Sequence, residues 1–333
     1  MRETLKTVLW PAVALLVLLA FNFFANPNFF HLEIVEGRIS GSLVDVLERA
    51  APVVLLSLGM TLVIATGGVD LSVGAVMAMS GALAAVLLSQ TEASLTVLLL
   101  AALGVAAVAG AWNGFLVSVI GIQPIVATLI LMVAGRGIAQ LMTDGQIITV
   151  RGSEGFSYIG GGTLFGLPFS VTIVASAVIA TAMLTRWTAM GLFIESVGGN
   201  EIASRYAGLN VRWIRFLVYT FCGLCSGLAG IIYASDITAA DSNNAGLYLE
   251  LDAILAVVIG GTALTGGRFY LLGSVLGALI IQTLATTILM TKIGDKDIPT
   301  EYNLIVKAIV VLVVCLLQSA ALRGMVLRKA VDT

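Results

Sequence analysis

The sequence predicts an all-α integral membrane protein of about ten transmembrane helices, one membrane domain over residues 1–333 with both termini cytoplasmic. Three observations carry this. Of 333 residues, 59% are hydrophobic and only 11% charged, with a mean hydropathy of +1.05. A soluble domain is about one-quarter charged, so a water-soluble globule is excluded. Apolar runs of membrane-crossing length recur along the chain, and its basic residues divide unequally between the loops that join them. A net charge of −2 and the lack of a basic run offer nothing to nucleic acid.

A helix crosses the bilayer with about 20 apolar residues. Runs of that kind lie near 8–24, 50–66, 71–89, 94–119, 124–142, 168–185, 214–235, 251–266, 269–290 and 302–321. The first follows Arg2 and Lys6 as a signal sequence would, but no small-x-small cleavage site follows it, so it reads as an uncleaved span. A short amphipathic helix, Leu43 to Ala51, leads into the second. Outer loops fall near 25–49, 143–167, 236–250 and 291–301, and a cytoplasmic loop near 186–213.

Basic residues test this arrangement, because short basic loops stay inside. Arg2, Lys6, Arg186, Arg205, Arg212, Arg215, Arg268, Arg323, Arg328 and Lys329 fall inside; Arg38, Arg49, Arg151, Lys292 and Lys296 fall outside. Ten against five favours cytoplasmic termini.

The interruptions carry the chemistry. In the loop Arg186 to Arg215, Asn200 is followed by Glu201, then Arg205 and Gly208. An Asn N-cap, an acidic first turn, a basic last turn and a glycine in the left-handed region spell a short surface helix. It suits docking to another protein or is an ordinary loop helix. Thr66 to Gly74, TGGVDLSVG, breaks an apolar run, with Asp70 placed to cap the next helix. It is either a tight cytoplasmic turn or a break lining a polar path, since irregular backbone at membrane depth must be enclosed by protein. Asn113 puts an amide in the fourth span, and Gln123-Pro124 turns the chain into the fifth. There Arg136 places a charge, which contacts substrate or forms a structural ion pair. DSNNAGLYLELD, Asp241 to Asp252, is the most polar outer loop, suited to a sugar or to a soluble partner, or simply solvated.

Cys222 and Cys225, three residues apart in an apolar span, read as packing residues. His31 is the only histidine, which excludes a HExxH metal helix. No phosphate-binding loop, Asp-rich diphosphate motif or nucleophile elbow is present. Uphill transport would therefore draw on an ion gradient or a partner.

Three stretches resemble the permease family of ribose-type ABC sugar importers: GMTLVIATGGVDLSVGAVMAMSG (Gly59 to Gly81), ESVGGNEIASRYAGLNV (Glu195 to Val211) and ELDAILAVVIGGTALTGG (Glu250 to Gly267). The resemblance runs in order over roughly 40–320. RAAPVVLL, IQPIVATLILMVAGRGIAQL and NNAGLYLELDAILAVVIGG are most similar to its galactofuranose-type permeases. It implies a multi-pass inner-membrane permease that binds no cofactor and is not an enzyme. ATP and magnesium sit on a cytoplasmic ATPase partner. A second permease subunit, a hetero-pair more than a homodimer, and a periplasmic sugar-binding protein complete the assembly in lipid. Gly198, Gly199, Asn200, Ala203, Arg205 and Gly208 match the family's ATPase-coupling segment. Gly67, Gly68, Asp70 and Ser72, with Asn113, Arg136, Gln140 and Asn244, are the expected path or gate residues.

The expected cargo is galactofuranose or a related furanose or pentose, with arabinose or ribose as the alternative. An ion-coupled secondary transporter would show inverted repeats and intramembrane acids; a membrane sugar transferase would show paired carboxylates. Neither pattern is evident.

Overall fold

In lipid a chain must satisfy its own backbone groups, so apolar runs become helices. The computed structural model describes residues 2–35, 38–150, 153–290, 292–293 and 296–297 and positions 302, 304–306, 308–309 and 312. In order the helices are α1 (Arg2–Ala25), α2 (Ser42–Ala65), α3 (Val73–Gln90), α4 (Leu95–Phe115), α5 (Pro124–Met142), α6 (Glu154–Gly161), α7 (Phe169–Trp187), α8 (Met190–Gly199), α9 (Glu201–Tyr206), α10 (Val211–Asp236), α11 (Leu249–Ile259) and α12 (Leu271–Met290). Residues Leu116–Ile120 extend α4 as a π-helical turn. Eight of these helices, α1 to α5, α7, α10 and α12, are long and apolar enough to cross a membrane.

Those eight correspond to eight of the ten expected spans. The expected short helix Leu43 to Ala51 is the first half of α2, not a separate element. The run 251–266 is corrected: α11 has only 11 residues, about 16 Å of helix, too short to cross alone. Its apolar sequence continues, but Gly261, Gly266 and Gly267 adopt φ of 91°, 85° and 99°, which ends the helix. The tenth run, 302–321, and the expected outer loop before it lie largely outside the described residues. Small antiparallel pairs decorate the loops, with Glu33–Val35 beside Arg38–Ser40 and Ile148–Thr149 beside Ala239–Ala240.

Helix α10 sits at the centre, packed on α2, α3 and α4. Lipid gives no hydrophobic drive for helices to associate, so close approach through small residues does the work. A Cβ on Gly223 would lie 2.4 Å from the Ala106 carbonyl oxygen in α4, and one on Gly230 would lie 2.1 Å from that of Met77 in α3. Cys222 and Cys225 are free, buried thiols in the same helix. Gly59 of α2 approaches the Cys222 backbone so closely that a Cβ would sit 2.8 Å from its Cα. At the edge, α1 packs on α12 and is pinned there by Asn22 Nδ2, which donates to Thr287 Oγ1 at 2.7 Å. Leu16, Val17, Phe21 and Phe24 on α1 stay exposed, which suits a lipid-facing helix.

This packing predicts that Gly230→Val, which forces α10 away from α3, destabilises the protein by about 3 kcal/mol. Gly104→Val, where a Cβ meets nothing within 4 Å, should leave thermal stability in detergent nearly unchanged. Equal melting temperatures for the two variants would refute the close-packing account.

Candidate functional site

Two interruptions of the helical pattern and one surface segment hold the candidate residues. The first interruption joins α2 to α3. Gly67 takes φ of 81°, and Thr66, Asp70 and Ser72 are buried. Asp70 Oδ1 accepts from the Ser72 N–H at 2.9 Å and from Ser72 Oγ at 2.6 Å. Asn113 Nδ2 donates to Ser72 Oγ at 2.9 Å and reaches the same carboxylate at 3.4 Å. Asp70, Ser72 and Asn113 are all buried, so the cluster is enclosed by protein. Of the two readings of TGGVDLSVG, a tight cytoplasmic turn or a break lining a polar path, the burial of Thr66, Asp70 and Ser72 fits a break enclosed by protein. Asp70 was expected to cap the next helix; instead it accepts from the Ser72 N–H, and α3 begins at Val73 after Ser72, with no side-chain cap bond.

The second interruption is the segment before α11. It was expected as a polar outer loop, suited to a sugar or a soluble partner or simply solvated, and part of it folds inward. Ser242, Ala245 and Gly246 are buried. Gly246 (φ 70°) and Tyr248 (φ 64°) bend it sharply. A Cβ on Gly74 would lie 2.2 Å from the Gly246 carbonyl oxygen, and one on Gly246 would lie 2.3 Å from that of Gly74. The two interruptions thus touch backbone to backbone. Arg136 Nη1 donates to the carbonyl oxygens of Ser242 at 3.1 Å and Ala245 at 2.5 Å. Among the described residues its hydrogen-bond partners are these backbone carbonyls. Beside it Gln140 Nε2 donates to Asn243 Oδ1 at 2.9 Å, and Asn244 Nδ2 donates to Asp241 Oδ2 at 2.8 Å. The Asn244 side chain leads the bonds that hold the Asp241 carboxyl below the usual range.

The surface segment is the loop between α7 and α10. Asn200 Oδ1 accepts from the Ala203 N–H at 2.9 Å, capping α9. Gly208 has φ of 86°, and Asn210 then caps α10 by accepting from the Trp213 N–H. Glu201 bonds Arg205 at 2.5 Å and Arg215 at 2.7 Å. Burial works against the charged Glu201, but Arg215 and then Arg205 outweigh it, so its pKa falls below the ordinary value. The short helix expected from the sequence is therefore formed.

Helix α8, by contrast, was not expected, and it changes the place of Gly198 and Gly199: they are its last two residues, not a linker. Gly191, Ile194 and Val197 are its buried face, an i, i+3, i+6 spacing legible in MGLFIESVGG. A Cβ on Gly198 would lie 1.7 Å from the Ala65 carbonyl oxygen. That same oxygen accepts from the Gly267 N–H at 2.9 Å. A Cβ on Gly266 would lie 2.9 Å from the Gly67 N. The end of α8, the end of α2 and the glycine loop after α11 thus meet at one point.

The structure sorts the candidates into three groups. Asp70, Ser72 and Asn113 form the central cluster. Arg136, Gln140 and Asn244 gather on the segment before α11. Gly67 lies where α8 meets α2, Gly68 lies against Tyr219, and Ala203 and Arg205 ride on α9. Sequence reasoning missed Gly74 and Gly246, the contact between the breaks, because nothing local pairs two glycines 172 positions apart (246 − 74).

Known proteins match this arrangement along most of its length. The model of the branched-chain amino acid transport system permease component matches residues 42–315. The galactofuranose transporter permease protein of Escherichia coli is 54% identical over 315 residues, 93% of this chain and 90% of the relative. A fructose import permease protein of Bifidobacterium longum is 40% identical over 87% of this chain and 80% of its own length. The ribose import permease protein of Escherichia coli is 36% identical, covering 92% of both chains. With its membrane-length helices, this chain is a multi-pass membrane protein that belongs to the family of transport-system permease components.

Proposed function

We propose that this chain is the membrane-spanning permease subunit of an ATP-driven ABC sugar importer, carrying galactofuranose or a related furanose or pentose across the inner membrane. The 54% identity to a galactofuranose transporter permease over nearly the whole chain carries this reading. The relatives named for fructose and ribose favour a second reading, another monosaccharide, at lower identity. The chain is a transport subunit. ATP and magnesium are held by a partner ATPase, sugar arrives from a periplasmic binding protein, and a second, homologous permease completes the membrane pair.

The geometry supports a route for coupling. An ATPase that grips α9 when it closes on ATP moves α8 with it. Gly198 has no side chain to cushion its contact with the Ala65 carbonyl, so the end of α2 and the Gly266–Gly267 loop must follow. Gly67 to Ser72 connects that point to the Asp70 cluster, which fixes the start of α3. From there the Gly74–Gly246 contact reaches the segment held by Arg136. Each contact is between backbone or bonded polar groups, which tolerate little slack. Asp70, Ser72 and Asn113 brace this route from within, while Gln140 and the exposed Asn244 face the sugar.

Reconstituted with its ATPase, partner permease and binding protein in proteoliposomes, the chain should import labelled galactofuranose in preference to arabinose, ribose and fructose. Omitting either ATP or the ATPase should abolish uptake. Uptake by this chain alone down an ion gradient would refute the importer reading. For the coupling segment, Arg205→Glu and Gly198→Leu should lower uptake about tenfold or more while membrane insertion and ATP hydrolysis persist. Normal uptake with normal sugar-stimulated hydrolysis in both variants would remove these residues from coupling.

A further inference from the structure

We propose that the cavity between α9, the start of α10 and the π-helical end of α4 is a binding site for a phosphate-bearing anion, reached from the face of the protein that carries α8 and α9. The cavity holds about 470 Å³ and is lined by Arg205, Arg212 and Arg215 against a single acid, Glu201. Three positive charges less one negative leave a net +2. Arg205 and Arg215 share the Glu201 carboxylate; Arg212 has no acidic partner among the described residues. The retention of basic loops on the inner side accounts for arginines on this face. It does not account for what they surround.

Two buried hydroxyls also line the cavity, Tyr219 at 0% exposure and Ser118 at 7%, and neither has a hydrogen-bond partner among the described residues. The Tyr219 hydroxyl lies against Gly68, another lining residue, where a Cβ would come within 2.4 Å of it. A buried donor without a partner is costly. Unbonded hydroxyls beside unneutralised guanidinium groups want an acceptor that is anionic and rich in oxygen. Guanidinium forks match phosphate oxygens, two N–H groups at a time. A neutral sugar would leave the charge uncompensated. A soluble phosphate ester and an anionic phospholipid headgroup offer the same chemistry, and basic pockets on the inner side of membrane proteins take such headgroups. An occupant would tie α9 to α10 and so restrain the coupling segment. The proposal concerns binding and does not depend on which sugar is imported.

The test uses the purified transporter complex in nanodiscs and reads binding, not transport. In phosphatidylcholine discs, glycerol 3-phosphate is titrated, with glycerol as the uncharged control. In phosphatidylglycerol discs, retained lipid is counted by native mass spectrometry. Saturable binding of glycerol 3-phosphate but not glycerol, weakened about tenfold or more by Arg212→Gln and also reduced by Tyr219→Phe, identifies a soluble phosphate ester. Retention of phosphatidylglycerol on the wild type, lost in Arg212→Gln and reduced in Tyr219→Phe, without glycerol 3-phosphate binding, identifies a headgroup. Tyr219→Phe removes one oxygen and keeps the packing, so its result stands if Arg212→Gln fails to fold. Binding of neither probe, or binding that both variants leave unchanged, overturns the proposal.

Discussion

Backbone groups that leave a helix inside a bilayer must find partners in the protein, because lipid supplies none. The rest of this structure follows from how that constraint is met at two places. Between α2 and α3, a carboxylate does it: Asp70 takes the N–H and hydroxyl of Ser72. Before α11 a guanidinium does it, with Arg136 Nη1 taking the carbonyls of Ser242 and Ala245. The polarity of each side chain suits the groups freed at its break, donors in one case and acceptors in the other. A charge at membrane depth is expensive. Here each one offsets a cost of the same kind that the broken backbone would otherwise incur.

The breaks are also what allow helices to meet end on. A continuous helix offers neighbours its side chains; an interrupted one offers bare backbone. The Gly74–Gly246 contact and the junction of Gly198, Ala65 and Gly267 are of this type. Such contacts transmit displacement more stiffly than leucine packing does, since no rotamer can absorb the movement. Elsewhere α10 uses Gly223 and Gly230 to draw α3 and α4 close.

Much of this was legible in the sequence, and the limits have physical causes. Eight spans and the capped α9 could be read because the length of an apolar run and helix capping are local properties. The Asn200 cap and the Gly208 stop lie within nine residues of each other. The run 251–266 misled because composition alone does not distinguish a long helix from a short helix followed by glycines in left-handed conformations. The burial of the 66–74 segment could not be read from sequence, since its polar partner Asn113 is distant in the chain. Arg136 was visible as a charge within an apolar span, but backbone carbonyls as partners leave no signature in residue types.

The same reasoning explains why the surface loop concentrates so many constraints. Its glycine Gly198 must be bare to reach the Ala65 carbonyl, and Glu201 must balance Arg205 and Arg215. Among the described residues, Arg212 has no acidic partner and the Tyr219 and Ser118 hydroxyls have no hydrogen bond. A surplus of donors around a cavity is not explained by folding alone. It fits a surface whose bonding is completed by something that arrives, and whose movement is restrained when it does.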